Sequence, residues 1–314
     1  MIIDKFHCWY NATFAIKNRV FNSLKVPAIL RLVILSIANV VIPMVISTQT
    51  KNPNFSLKNN NKVRADFVVS LTSFPNRIGK IHLVIESILR QSYRPSQVIL
   101  WLSKEQFASI DELPIKLLKL RSRGLTIKLT EGDLRSYKKY YFLLEQNPKA
   151  AFIIVDDDVF YKSTLLSELI DVHKQYPNAI VANRCAIING DQQYTNWRGL
   201  RGAATNPRFD LLPTGCGGVL YPSGSLSSEA VDSNLFTEVC GDADDIWLSC
   251  CAFLNNTPTV YTGHNDYILG VHSSQNIHLH TKNVGQSNND IRIAAVREYF
   301  QVNRGVDVFK RTKC

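Results

Sequence analysis

The chain has 314 residues, of which 45% are hydrophobic and 20% charged, so it can bury one large core or two modest ones. Its formal net charge of +10 favours polyanions such as phosphorylated glycans, anionic lipids and nucleotides, but it lacks the zinc-finger and aromatic RNA-binding signatures, so we expect no nucleic-acid partner. The seven cysteines form no C-x-x-C pair and predict reduced, mostly buried thiols.

Residues 1–64 differ from the rest and are predicted to be an anchor segment and linker. Residues 32–46 are apolar apart from Ser36 and Asn39, with basic residues on both sides. This run is shorter than the about 20 apolar residues that span a bilayer, and it contains Pro43. A signal anchor, a helix in the membrane interface and a helix buried on the main domain all remain open. Because basic flanks favour anionic lipid, we expect membrane association.

Strand and helix patterns alternate through residues 65–303, which we predict to be the main domain. The predicted strands are Phe67 to Leu71, Val98 to Leu102, Leu125 to Leu129, Ala151 to Val155 and Ala179 to Ala182. The predicted helices are Ile78 to Leu89, Leu113 to Leu120, Tyr137 to Glu145, Leu165 to Tyr176, Asp244 to Leu254 and Asn289 to Tyr299. This alternation predicts an α/β fold with a mostly parallel sheet and helices on both faces. Residues 304–314 are predicted to be a basic C-terminal tail.

The fourth predicted strand leads directly into three carboxylates, Asp156, Asp157 and Asp158. An unbroken apolar run is typical of a strand covered on both faces, and ligands of such sheets bind beyond the carboxyl ends of the strands. Three adjacent like charges need a positive partner, and oxygen ligands suit Mg²⁺ or Mn²⁺. The alternative is a solvated acidic turn, although such turns usually also contain Gly, Asn or Pro.

Three motifs in this order resemble those of the family 2 glycosyltransferases. They are the turn Thr72 to Arg77 with the Ile-Glu-Ser helix at residues 85–93, the pair Asp156-x-Asp158, and Asp244-Asp245 at the start of a helix. The resemblance covers most of residues 66–299. It implies a GT-A (Rossmann-like) fold and a transferase that moves a sugar from a nucleotide-sugar donor, expected to be a UDP-sugar, to a hydroxyl group.

The resemblance implies that the carboxylates hold a divalent cation, Mn²⁺ or Mg²⁺, at the donor diphosphate. Asp158 would be the direct ligand, Asp156 would hold the ribose or a metal-bound water at the same site, and His278 would be a late further ligand. Such a cation acts as a Lewis acid for the departing nucleotide. Asp157 either contacts the donor or caps the helix that follows.

The resemblance also implies a set of donor contacts from several loops. The set is Thr72, Ser73, Phe74, Arg77, Asp133, Lys138, Asp156, Asp157, Gly217 and Gly218. Asp133 is included because the acid that the family places after the second strand is missing, since residues 100–104 read Leu-Trp-Leu-Ser-Lys. A solvated charge remains the alternative for Arg77 and Lys138, and a tight connection remains the alternative for the glycines.

The resemblance implies that Asp245 is the general base of an inverting transfer, with Asp244 positioning the acceptor. The alternative is that both acids only stabilise the positive end of a helix. The expected acceptor is a cell-surface glycan or lipid-linked oligosaccharide at the cytoplasmic face of a bacterial inner membrane. The alternative location is a single-pass protein with a lumenal catalytic domain.

Two other functions remain open at this point. A haloacid-dehalogenase-like phosphatase would use Asp156 as its nucleophile and residues 241–245 as its late acidic motif. Against it, three predicted strands precede residues 151–155, whereas the nucleophile strand normally opens that fold. A non-catalytic sugar-binding module on the same fold would bind without turnover.

Overall fold

A computed structural model of the chain describes residues 1–49, 52, 55–57, 64–264, 266–272 and 288–311. The strands are β1 (Arg64–Thr72), β2 (Arg94–Ser103), β3 (Leu125–Thr130), β4 (Phe152–Ile154), β5 (Ile180–Ala182), β6 (Cys185–Ile187), β7 (Leu211–Pro213), β8 (Val219–Tyr221) and β9 (Thr259–Tyr261). The helices are α1 (Ile2–Ala12), α2 (Arg19–Ser23), α3 (Val26–Thr48), α4 (Pro75–Ile78), α5 (Ile81–Leu89), α6 (Ile115–Leu118), α7 (Tyr141–Gln146), α8 (Leu165–Gln175), α9 (Ser233–Val239), α10 (Asp244–Leu254) and α11 (Asn288–Arg304).

The described strands form one seven-stranded sheet in the order β3-β2-β1-β4-β8-β5-β9, and β6 pairs with β7 in a separate small sheet. In the large sheet β1, β2, β3 and β4 pair in parallel, and so do β5 and β9. Strand β8 lies antiparallel between β4 and β5. The predicted fold class, a mostly parallel sheet with surrounding helices, is confirmed. The reversed strand β8 is a feature that the sequence pattern did not predict.

The sheet separates two apolar clusters, and β4 contributes side chains to both. Ile153 points into the cluster that contains residues of α3, α5 and α8. Phe152 and Ile154 point into the cluster that contains residues of α7, α10 and α11. All three side chains are fully buried. Because both faces of the strand are covered, no position along it tolerates a polar residue, which explains the unbroken apolar run before the carboxylates.

Both ends of the chain pack on this body. Helix α3 is long and apolar enough to cross a bilayer, and its Ala38 and Ile42 are buried in the first cluster. At the other end, Val308 and Phe309 are buried in the second cluster, although residues 304–314 were predicted to be a tail. Packing of these two apolar residues ties the last described residues to the domain. The cysteines of the described residues are free thiols: Cys8, Cys185, Cys216, Cys240, Cys250 and Cys251.

Candidate active site

The polar residues predicted to be functional meet at the carboxyl ends of the central parallel strands. The turn Thr72 to Arg77 follows β1, and Asp156 to Asp158 follow β4. The glycine turn Gly215–Gly217 precedes β8, and Asp244 and Asp245 begin α10. Neighbouring parallel strands end at the same edge of a sheet, which brings together residues that are about 80 positions apart in the chain.

Arg77 joins the turn after β1 to the carboxylates after β4. Its Nη1 lies 2.6 Å from Oδ1 of Asp157 and 3.1 Å from Oδ2 of Asp158. Ser73 Oγ donates a hydrogen bond of 2.6 Å to the other oxygen of Asp157. Burial raises the pKa of Asp157, and these two partners oppose that shift. Arg77 is therefore a buried counter-charge and not a solvated one.

The predicted alternative role of Asp157 as a helix cap is wrong. The helix that follows, α8, begins at Leu165 after the N-cap residue Thr164. The carboxylate of Asp157 instead points toward Ser73 and Arg77, and only 8% of its side chain is exposed. Its contacts hold the turn Thr72 to Arg77 against β4, so a direct contact between Asp157 and a donor stays a prediction.

Lys139 is the second buried cation of the site. Its Nζ lies 2.9 Å from Asp156 Oδ1 and 2.9 Å from Asp244 Oδ2, so it joins β4 to the start of α10. Burial favours the neutral amine, but Asp156, Asp244 and Asp245 outweigh it and hold the pKa of Lys139 well above its ordinary value. The ammonium is therefore charged and shared among carboxylates.

Lys138, the lysine predicted to contact the donor, points elsewhere. It forms an ion pair with Asp133, and Gln106 Nε2 donates a 2.5 Å hydrogen bond to the same carboxylate. The two lysines lie in the 3₁₀ turn Arg135–Lys139, where three residues complete a turn and adjacent side chains diverge. Only one of them can face the acidic cluster, and the structure shows that it is Lys139. Donor contacts of Asp133 and Lys138 stay predictions.

Gly215 is the point where the catalytic candidates meet. Its backbone N–H donates to Asp245, at 3.1 Å from Oδ1 and 3.3 Å from Oδ2. A Cβ atom at this position would lie 3.1 Å from Asp156 Oδ1 and 3.3 Å from Lys139 Nζ. The absence of a side chain thus lets a backbone amide reach the floor of the acidic cluster. This glycine was not among the predicted donor contacts.

Gly217 and Gly218 have a different role from the predicted one. A Cβ on Gly217 would lie 2.5 Å from Cβ of Arg184, and one on Gly218 would lie 2.8 Å from Leu165 Cδ1. Gly218 also has a φ of +82°, which favours glycine. Protein side chains occupy the space beside both residues, so the tight-connection alternative describes them.

Two carboxylates of the site have pKa values raised into the neutral range. Burial, followed by the charge of Asp156, raises the pKa of Asp158 to about 7 although Arg77 opposes the shift. Burial, followed by Asp244, raises the pKa of Asp245 to about 8 although Lys139 opposes it. The two buried cations therefore leave an excess of negative charge at the site.

The residues present fit a divalent cation in part. The side chains of Asp156 and Asp158 are 29% and 19% exposed, so solvent reaches both carboxylates. Carboxylate oxygens are the donors that Mg²⁺ and Mn²⁺ prefer. Within the described ranges no three His, Cys, Asp or Glu side chains form a complete metal site, and the predicted ligand His278 lies outside those ranges. Two carboxylates would hold such an ion together with ligand oxygens.

The remaining predicted residues support the site from behind. Thr72 Oγ1 donates a 2.8 Å hydrogen bond to the carbonyl oxygen of Trp101, and the Phe74 ring centroid lies 5.2 Å from the Arg77 guanidinium carbon. Two residues of the site were not predicted. Tyr161 Oη accepts a 2.8 Å hydrogen bond from the backbone N–H of Asp156, and Arg184 Nη1 donates to Cys216 Sγ at 3.1 Å. Arg184 closely follows β5, so the strand-end rule would have found it.

The fold and the site define an α/β protein with an acidic cleft, lined by buried cations, at the carboxyl edge of its sheet. No family model and no curated protein matches the sequence. Among solved structures, the chain is similar to a mannosyltransferase from Pyrobaculum calidifontis in complex with GDP-Man and Mn²⁺, with 14% identity over 88% of this chain and 77% of that one and a TM-score of 0.48.

Two further neighbours have lower scores. TarS from S. aureus in complex with UDP-GlcNAc is 14% identical over 76% of this chain and 74% of that one, with a TM-score of 0.40. An apo UDP-glucose pyrophosphorylase is 6% identical over 76% of this chain and 99% of that one, with a TM-score of 0.41. Because each of these TM-scores lies below 0.5, any function must be argued from the site itself.

Proposed function

We propose that the chain is a metal-dependent, inverting GT-A glycosyltransferase of the hexosyltransferase type. It would move a sugar from a nucleotide-sugar, expected to be a UDP-sugar, to a hydroxyl of a cell-surface glycan or lipid-linked oligosaccharide. The observation that carries the proposal is the meeting of Asp156, Lys139 and Asp245 around the Gly215 backbone. A metal-diphosphate group and a general base are needed close together for this reaction, and the cleft offers residues for both.

The donor diphosphate would bind beside Asp156 and Asp158. When bound there, Mn²⁺ or Mg²⁺ would neutralise diphosphate charge and so help the nucleotide to leave. Arg77 and Lys139 hold the carboxylates in place through contacts of 2.6 to 3.1 Å. Without these two cations the repulsion among the acids would disperse the metal-binding oxygens.

Asp245 would take the proton from the acceptor hydroxyl. The Gly215 N–H holds its carboxylate, and its pKa of about 8 is close to neutral pH, where a general base is most effective. Asp244 is bound to Lys139, 2.9 Å away, and would position the base and the acceptor. The hydroxyl oxygen would then attack the anomeric carbon from the side opposite the leaving nucleotide.

Nucleotide release from a panel of UDP- and GDP-sugars, with Mn²⁺ and with EDTA, tests the proposal. UDP-GlcNAc and GDP-Man are the first donors to include. We expect metal-dependent release of nucleoside diphosphate that increases with a glycan acceptor. If no nucleotide sugar binds, while a simple phosphate ester is hydrolysed and Asp156 becomes phosphorylated, the phosphatase alternative is correct.

Replacement of the base separates catalysis from binding. Asp245→Asn should reduce transfer by about 100-fold or more, which is the contribution expected of a general base, while donor affinity is retained. Asp242→Asn is the control, because Asp242 lies on the same segment but its partners are Arg135 and Arg292 at 3.8 and 3.9 Å. Turnover preserved in Asp245→Asn would contradict this assignment. Donor binding without turnover in the unmodified protein would favour a sugar-binding module.

A further inference from the structure

The exposed apolar side chains of the chain are concentrated at its N-terminal end. Of the 16 large hydrophobic residues that are exposed in the described part of the chain, 12 lie within the first 44 residues. Trp9 and Phe21 are among them, on α1 and α2. A surface this apolar is costly in water, so it calls for a partner.

Helix α3 presents one face of this surface. Ile29, Val33, Ile37, Val40 and Met44 recur at helical spacing, and each is 46% to 63% exposed. The opposite side of the helix carries Ala38, Ile42 and Ile46, which are buried on the domain. We call the first set the N-terminal apolar face. Its length along α3 is about 22 Å at 1.5 Å per residue.

The charge around this face selects the type of partner. Residues 1–49 contain five basic side chains, Lys5, Lys17, Arg19, Lys25 and Arg31, and a single acid, Asp4. The carboxylate of Asp4 is occupied by the backbone N–H of Ser163 at 2.8 Å and by the terminal ammonium group. The N-terminal segment is therefore strongly cationic as well as apolar, which is the combination that binds an anionic lipid surface.

Polar contacts fix α3 sideways on the domain. Asn39 donates a 3.0 Å hydrogen bond to the carbonyl oxygen of Gly270 and accepts one of 2.6 Å from the N–H of His272. If α3 crossed a bilayer in this arrangement, the irregular backbone at residues 270–272 would lie at the level of the hydrocarbon. Irregular backbone exposed to lipid is excluded there because its polar groups would lose their partners.

Helix α1 is also tied to the domain. His7 Nε2 is hydrogen-bonded to the carbonyl oxygen of Phe160 at 2.6 Å, and Asn11 Oδ1 accepts from the N–H of Tyr267 at 2.7 Å. Phe14, just after α1, stacks on the Tyr267 ring. These contacts hold α1 and α3 as one layer on the body of the protein.

We propose that this layer is a monotopic docking surface for an anionic bilayer, with α3 lying in the plane of the membrane and the N-terminal apolar face inserted among the lipid chains. The basic residues then face the lipid headgroups. The proposal does not depend on the transferase activity, because it concerns a surface whose residues are separate from the acidic cleft.

Flotation of the full chain with vesicles tests the attachment. We expect binding to equimolar phosphatidylcholine and phosphatidylglycerol vesicles to exceed binding to phosphatidylcholine alone by about tenfold or more, and to weaken in high salt. Val33→Glu and Val40→Glu should each reduce flotation. Val302→Glu is the matched control, because Val302 is 77% exposed on α11. Equal flotation of all three variants, or no flotation at all, would overturn the proposal.

Depth measurements decide between lying in the plane and crossing. In a chain with Cys8→Ser, an environment-sensitive fluorophore is attached to Ile29→Cys, Ile37→Cys or Met44→Cys and quenched by lipids brominated at different depths. An in-plane helix places all three labels at the same depth, whereas a spanning helix places Ile37→Cys deepest. A graded depth would refute the in-plane arrangement.

Two measurements keep this result separate from other outcomes. Donor binding in solution should be unchanged in Val33→Glu and Val40→Glu, so failure of membrane docking and failure of the proposed transferase are distinguishable. If the chain is instead a dimer that Val40→Glu dissociates and that ignores vesicles, the N-terminal apolar face is a contact between two copies and the proposal is wrong.

Discussion

At the scale of single residues, the site depends on two cations that are buried among five acids. Arg77 neutralises Asp157 and Asp158, and Lys139 is shared by Asp156 and Asp244. Ion pairs of this kind gain little over apolar packing, but removing one partner leaves an uncompensated buried charge. The cations are therefore needed to keep the acids in place, whatever ligand binds.

Lys139→Met tests this dependence. We expect it to lower the free energy of unfolding by about 3 to 5 kcal/mol, since it breaks a buried pair, and urea denaturation measures the change. Lys104→Met is the matched control, because Lys104 pairs with Glu131 on the surface, where such a pair contributes about 0 to 1 kcal/mol. Equal losses in the two variants would show that Lys139 is not a special counter-charge.

Asp245 should make stability depend on pH. Its pKa rises from an ordinary value of 3.8 to about 8 in the folded state, so the unfolded chain releases this proton first. Its contribution therefore destabilises the fold progressively as pH rises from about 4 to about 8. In the presence of EDTA, Asp245→Asn should raise the melting temperature more at pH 8 than at pH 5. A shift of equal size at both pH values would contradict the raised pKa.

At the scale of elements, the site is assembled from the ends of strands and from two turns. The 3₁₀ turn Arg135–Lys139 turns one lysine of a pair into the cluster, and the turn Gly215–Gly217 brings a backbone amide to Asp245. Ser70 Oγ on β1 donates to the carbonyl oxygen of Lys139 and accepts a 2.9 Å hydrogen bond from Trp101 Nε1 on β2. Two strands thus hold the first turn in position.

Gly215→Ala is a test at this scale. The added Cβ would lie 3.1 Å from Asp156 Oδ1, which is tighter than most contacts, so we expect weaker donor binding and slower transfer with little loss of stability. Gly79→Ala is the control, because its Cβ would meet nothing within 4 Å and its backbone is αR. Donor affinity from calorimetry checks both. Unchanged affinity in Gly215→Ala would show that the turn does not border the donor.

At the scale of the whole molecule, the two ends of the chain complete the two apolar clusters on either side of the sheet. The N-terminal helices cover the cluster with α5 and α8, and residues after α11 close the cluster with α10. Phe309 is fully buried there, with its ring centroid 6.2 Å from that of Trp197, so Trp197 is a packing residue. The domain therefore needs its last described residues.

Phe309→Ala should lower the free energy of unfolding by about 3 to 5 kcal/mol, the usual cost of removing a buried aromatic ring. Val302→Ala is the control, because Val302 on α11 is exposed and its truncation should change stability by less than about 0.5 kcal/mol. Chemical denaturation of both variants measures the difference. A loss of under about 1 kcal/mol in Phe309→Ala would mean that the C-terminal residues are a detachable tail.

The sequence by itself determined the order of strands and helices, and it located Asp156 to Asp158 at a strand end. These conclusions follow from local periodicity and burial, which are written in consecutive residues. It also predicted that Arg77, Asp244 and Asp245 belong to the same site, although this came from resemblance and not from spacing.

Only the tertiary structure decided that Lys139 and not Lys138 faces the acids, that Asp157 binds Arg77 and Ser73, and that Gly215 and not Gly217 borders the cluster. It also decided that α3 lies along the domain. The physical reason is the same in each case. These contacts join residues from 17 to 233 positions apart, and neither side-chain direction in a turn nor the packing of a helix face is encoded in a local pattern.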